Sequence, residues 1–310
     1  MESVMWGEFE TSGNEIKMGE GVTRNCGSQS GQSIQGQLSQ IVMVESFSFL
    51  DHLHCGLQLN FLVSIDFTGS NGNPAQPSSL HYRDVLGRPN QYQNAISSVG
   101  TIIQDYDSDK MFPVFGFGAK TPPSGHVSHM FPCNFNPQNP FVHGVHGILE
   151  VYNQAIPQVQ LYGPTNFAPT INESARMAQS GGTNSYFITL ILTDGAITDM
   201  QSTIDAIVQA SYLPLSIIII GVGDADFDAM DELDGDDGLL VDSSGRRAQR
   251  DIVQFVPMVK FGGDQARLTS EVLAEVPGQV EQWARANNVK PNFNFFPAPQ
   301  DASAPPPYAG

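Results

Sequence analysis

The chain is 310 residues long and carries 14 Lys and Arg against 32 Asp and Glu, a formal charge of −18. Only 15% of residues are charged and 40% are hydrophobic, which excludes wholesale disorder and leaves room for roughly two domains. The one-signed charge argues against nucleic acid and against purely electrostatic adhesion to anionic lipid, and it suits divalent cations or basic partners.

The first ten residues, MESVMWGEFE, place acids where a secretory signal has basic residues ahead of an apolar run. Residues 1–45 are rich in Gly, Ser and Gln, and GSQSGQSIQGQ at 27–37 reads as a loop or flexible linker. Short apolar pieces such as 38–44 have strand character but are too few for an independent sheet. The segment is expected to be a flexible leader or the remnant of a larger domain.

From residue 57 the pattern changes. LQLNFLVSID (57–66), MFPVFGFG (111–118), YFITLILTD (186–194) and LPLSIIIIGVG (213–223) are near-continuous apolar runs, the signature of strands buried on both faces of a parallel sheet. Between and after them, helical periodicity covers 92–104, 142–155, 167–179, 200–211 and 268–286. This alternation predicts an α/β fold, a doubly wound, mostly parallel sheet flanked by helices, over residues 46–286. The stretch 120–141 is proline-rich and reads as an irregular excursion with one short edge strand. Residues 287–310 form a proline-rich tail, expected to be disordered or polyproline II.

Cys26, Cys55 and Cys133 are odd in number, widely spaced and without CxxC, so no disulfide framework is expected and a reducing compartment is the natural setting. The longest apolar stretch, 213–222, is too short to span a bilayer. These features predict a soluble, cytoplasmic protein.

Open α/β sheets bind ligands at the carboxyl ends of their strands. The first run ends there in Asp66-Phe67-Thr68-Gly69-Ser70, an acid followed by hydroxyls at i+2 and i+4. The third ends in Thr193-Asp194-Gly195, and Gly163-Pro164-Thr165 opens a helix with a further hydroxyl. An oxygen-only set of this size suits a hard cation, Mg²⁺ or Mn²⁺, with a coordination position left for a carboxylate of a partner. Each piece alone also serves as a turn-former or helix N-cap; their coincidence at three strand ends favours a metal site.

The same residues carry a family resemblance. DxTxS, GPTN and TDG resemble the metal-ion-dependent adhesion site (MIDAS) of von Willebrand factor A domains. Over residues 46–285 the chain resembles the copines, on SFLD (48–51), DFTGSNG (66–72), SLHY (79–82), IQDYDSDKMFPVFGFGA (103–119), FNPQNP (135–140), LYGPTNFAP (161–169) and DIVQFVP (251–257). The resemblance implies a Rossmann-type topology and a cytosolic protein in which two N-terminal C2 domains bind phospholipid in a calcium-dependent way and the A domain recruits proteins. It makes Thr68, Ser70 and Thr165 direct metal ligands, with Asp66 and Asp194 ligating directly or through water. Position 68 is Thr where A domains outside the copines usually have Ser. GEFETS (7–12) and GQLSQIVMVESFSFLD (36–51) resemble the last strands of a C2 domain, and the clustered aspartates that C2 loops need for calcium are not in this sequence.

The acidic stretch 224–242 fails as an EF-hand: the sixth residue is Ala229 and the twelfth Gly235. It reads as a solvated helix and turn. The pairs His126/His129 and His143/His146 lack a third ligand at zinc spacing. No P-loop, GxGxxG or GxSxG is present. Pro305-Pro306-Pro307-Tyr308 matches the PPxY ligand of WW domains. The leading expectation is a non-enzymatic binding protein that uses Mg²⁺ or Mn²⁺ to recruit protein ligands through an acidic residue, with the tail as a WW-type contact. The alternative is a calcium-dependent phospholipid-binding membrane effector acting at the plasma membrane, and a metal-assisted enzyme ranks last.

Overall fold

The structure is a computed structural model, and it describes residues 9–11, 14–16, 46–107, 109–195, 197–235 and 238–292. The chain divides into two compact units, Met1–Ser48 and Phe49–Gly310. In the first, strands β1 (Phe9–Thr11) and β2 (Asn14–Ile16) form an antiparallel pair. The expected linker at 27–37 and the apolar piece at 38–44 lie outside the described residues, as does the proline-rich tail from 293 onward.

The second unit begins with a short helix, α1 (Phe49–His54), then β3 (Gln58–Asp66), α2 (Gln91–Ile103) and β4 (Met111–Phe117). The excursion that follows contains β5 (Ala119–Lys120), β6 (Val127–Ser128), β7 (Phe131–Pro132) and β8 (Phe141–His143). Next come α3 (Gly144–Ala155), β9 (Gln160–Leu161), α4 (Ala168–Ser180), β10 (Ser185–Thr193) and α5 (Met200–Ala210). The chain continues through β11 (Leu215–Gly221), α6 (Asp228–Leu233), β12 (Val253–Pro257), α7 (Gln265–Val272) and α8 (Val276–Ala286). No helix among the described residues is long and apolar enough to cross a membrane.

The main sheet has the order β12-β11-β10-β3-β4, all parallel, with β7 antiparallel on the outer edge of β4. The register places Ile188 beside Phe61 and Leu190 beside Val63. Alternate side chains serve opposite faces. Phe61, Val63, Ile188, Leu190, Ile218 and Ile220 pack with α2, α3, α7 and α8, whereas Ile191, Leu215, Ile217 and Ile219 pack with α4, α5 and α6. Burial on both faces is why these strands are apolar throughout.

This winding also places the site. The helix after β3 lies on one face and the helix after β10 on the other, yet β3 and β10 are neighbours. Their carboxyl ends therefore flank the crevice where a doubly wound sheet opens. Three departures from the periodicity have local causes. β12 is a fifth parallel strand, short and interrupted by buried Gln254. The 268–286 periodicity is two helices, because Pro277 sits in the first turn of α8 and the preceding turn breaks at 273–275. Residues 141–143 are strand, paired with Met111–Pro113, so α3 starts at Gly144.

Candidate metal centre

Asp66 is the last residue of β3 and is fully buried. Its Oδ1 accepts the Thr68 amide at 2.8 Å and the Thr68 hydroxyl at 2.6 Å; its Oδ2 accepts the Thr193 hydroxyl at 2.7 Å. The loop turns at once into a short 3₁₀ segment, Gly69–Asn71, which brings Ser70 back over Thr68. The two hydroxyls stand 2.8 Å apart, and Ser70 Oγ donates to Asp194 Oδ1 at 3.0 Å. Asp66, Thr68, Ser70 and Asp194 thus form one continuous chain of oxygens across the ends of β3 and β10.

The proton balance of that chain is informative. With both carboxylates ionised, three contacts share the two hydroxyl protons, so one contact always joins two lone-pair oxygens. The arrangement is one hydrogen-bonding proton short and carries two negative charges; an added proton relieves this in part, and a divalent cation neutralises it. Consistently, burial, reinforced by the nearby Asp194 carboxylate, pushes the Asp66 carboxyl up to about 7 against the pull of its hydrogen bonds from Thr68 and Thr193. Burial also raises Asp194. Two carboxylates and adjacent hydroxyls are hard oxygen donors that fit a small divalent cation.

Thr165 is buried on the adjoining loop, before α4, and its hydroxyl makes no hydrogen bond among the described residues. Its backbone is fastened on both sides: its amide donates to Thr198 Oγ1 at 3.2 Å, and its carbonyl accepts the Thr198 amide at 2.8 Å. Asp199 then accepts the amides of Phe167 and Ala168 at 2.9 and 3.0 Å, capping α4 from outside. The structure therefore joins four of the five expected metal residues directly and sets the fifth on a loop clamped to the Asp194 segment.

Sequence reasoning missed the supporting residues. Buried His81 bridges Tyr152 Oη and the Asp66 carbonyl, each at 2.8 Å. A carbonyl only accepts, so Nε2 carries the proton and Nδ1 accepts from Tyr152. Tyr152 in turn receives Asn90 Nδ2 at 3.0 Å, and Asn90 caps α2. Burial pulls the His81 imidazole down to about 3, keeping it neutral. Asn71 presents Nδ2 to Asp66 Oδ1 and Thr68 Oγ1 at 3.3 Å, while its own Oδ1 is buried without a partner. The signals available were the polar residues of SNG and SLHY, which carry no periodicity.

No group of three or more His, Cys, Asp or Glu side chains is placed to hold a metal ion among the described residues, so the candidate centre depends on hydroxyls beside its two carboxylates. His126, His143 and His146 are exposed, and Cys55 and Cys133 are buried and free. In the acidic stretch, Asp234 accepts the Phe255 amide, and Asp242 accepts from Ser244 and Arg246 as a turn-former. The PPPY motif, Pro305 to Tyr308, lies outside the described residues.

A family model described as Copine matches residues 79–292, more than half of the chain, including Thr165 and Asp194. Among solved structures, the chain is similar to the manganese-loaded TRAP protein of Plasmodium vivax, at 12% identity over 66% of this chain and 71% of that one, with a TM-score of 0.40. It is also similar to a von Willebrand factor type A protein from Catenulispora acidiphila, at 14% identity over 72% and 43% of the two chains, TM-score 0.38. A third is proximal thread matrix protein 1 from the mussel byssus with a zinc-occupied MIDAS motif, at 14% identity over 69% and 46%, TM-score 0.39. The similarity spans less than half the length of the latter two proteins.

Proposed function

The chain belongs to the copine family, and from that premise we propose that its α/β unit is a non-enzymatic recruitment module that binds protein partners through a divalent cation. Asp66, Thr68, Ser70, Thr165 and Asp194 hold Mg²⁺ or Mn²⁺. Bound there, the cation supplies a Lewis-acidic position for an acidic side chain of the partner. The observation that carries this reading is the oxygen chain from Asp66 to Asp194, with two carboxylates and one proton too few for its three contacts.

The chain's own residues prepare the site. Thr193 and the Thr68 amide orient the Asp66 carboxylate, and Ser70 orients that of Asp194. His81 pins the end of β3 from behind. Because both His81 nitrogens are committed, it is not free to act as a general base, which supports binding over catalysis. The proposal extends to a cytoplasmic setting in calcium- and membrane-linked signalling, with Pro305, Pro306, Pro307 and Tyr308 as a second contact for WW domains. Two weak contacts reinforce one another when the tail spans both partner sites.

The test is partner capture with the full chain in Mg²⁺, in EDTA, and with Mg²⁺ restored, comparing wild type and Asp66→Ala. Capture that is lost in EDTA, returns with Mg²⁺ and is absent in the variant supports the proposal; capture indifferent to both rejects it.

A further inference from the structure

The rim of the metal centre holds a cation that the metal reading leaves unused. Lys120 Nζ stands 4.0 Å over the centroid of the Tyr162 ring. Tyr162 is bound to the metal loop by its backbone: it bridges to Thr68, its carbonyl accepts the Gly69 amide at 2.9 Å, and its amide donates to Gly118 O at 3.0 Å. It lies three residues before Thr165, and the residue is 55% exposed. Lys120 stands on β5, paired with both β6 and β9. Among the described residues it makes no ion pair, in a chain with 32 acids.

An anionic ligand faces opposition here. A divalent cation held by Asp66 and Asp194 is close to neutral overall. The acidic stretch from Asp224 begins against the Asp194 loop: a side chain begun at Gly195 would lie 3.0 Å from Asp226 O. A lysine side chain ordinarily loses rotamer freedom to hold one position. The face of Tyr162 reduces that cost beforehand, because an aromatic quadrupole attracts an ammonium.

We infer that Lys120, held by Tyr162, is the ligand-selecting residue of this site and supplies the countercharge for a partner's aspartate or glutamate carboxylate. The inference rests on the metal reading above. Lysine, a point charge on the rim, then decides ligand affinity, and the strand-end oxygens decide metal affinity.

The experiment separates the two. The full chain is titrated with Mn²⁺ alone, and the Mn²⁺-loaded chain is then titrated with N-acetylglutamate amide, following water relaxation as the carboxylate displaces bound water; N-acetylglutamine amide is the neutral control. Lys120→Ala is expected to leave Mn²⁺ affinity equal or slightly tighter, since a neighbouring cation is removed. It should weaken the carboxylate probe about three- to fivefold, as a partly exposed ion pair does. Lys120→Arg should stay within about twofold, and the wild-type advantage should shrink in high salt. Mn²⁺ binding with a carboxylate response indifferent to Lys120 would overturn this inference alone, and Mn²⁺ binding with no carboxylate response would overturn it together with the carboxylate-recruiting part of the proposed function. Absence of Mn²⁺ binding in wild type would overturn the metal reading and this inference with it.

Discussion

A side chain begun at Gly118 would lie 2.2 Å from Thr68 Cγ2, so the methyl of Thr68 occupies the space that glycine leaves at 118. Gly118 has φ +78°, a conformation that suits glycine. The two residues fit as a pair, and the extra methyl at the first hydroxyl position is accommodated without moving the oxygen from Asp66.

Gly118→Ala should therefore destabilise the domain by about 2 kcal/mol, from backbone strain and overlap together, and should weaken Mn²⁺ binding by displacing Thr68. Thr68→Ser in the same background removes Cγ2 and keeps the hydroxyl; the next atoms of residue 68, Cβ and N, are at an ordinary 3.4 Å. A double-mutant cycle by denaturant unfolding and Mn²⁺ titration should show a coupling of about 1 kcal/mol. Strict additivity would contradict the pairing.

Asp199→Ala removes both acceptors that cap α4 and loosens the loop bearing Thr165. Losing that cap should cost roughly 1–3 kcal/mol of stability, with weaker Mn²⁺ binding as a second readout. A variant with reduced stability and unchanged Mn²⁺ affinity would remove Thr165 from the metal site.

Much of this was legible in the sequence. The four apolar runs became central strands because burial on both faces leaves no other composition open to them. Asp66, Thr68, Ser70 and Asp194 were readable because each follows a strand end by a fixed offset. β12 was not, because a short strand ending in proline with Gln254 inside it resembles a loop. Thr193, His81, Asn71, Thr198 and Asp199 were invisible for another reason. The partners of Thr193, His81, Thr198 and Asp199 lie far along the chain, and hydrogen bonds such as Thr193 to Asp66 leave no period to detect. The partners of Asn71, which are Asp66 and Thr68, are local but belong to a loop without periodicity.

The raised Asp66 carboxyl fixes a pH dependence in the metal-free chain. Between an unfolded value near 4 and a folded value of about 7, the folded state holds the extra proton, so Asp66 lowers stability as pH rises through that window. Asp66→Asn has no such loss. In EDTA its stability relative to wild type should climb from pH 4 to pH 7, by at most about 1.4 kcal/mol per pH unit, and then level off. A gap that stays constant across that range would show that Asp66 is not raised.

The account turns on whether the oxygens at the ends of β3 and β10 hold a cation. The most direct measurement is Mn²⁺ titration of the full chain by electron paramagnetic resonance, on wild type, Ser70→Ala and Thr165→Val. One saturable site in wild type, competed by Mg²⁺ and weakened at least tenfold in each variant, is the predicted result; Mn²⁺ binding equal in all three proteins would contradict the account.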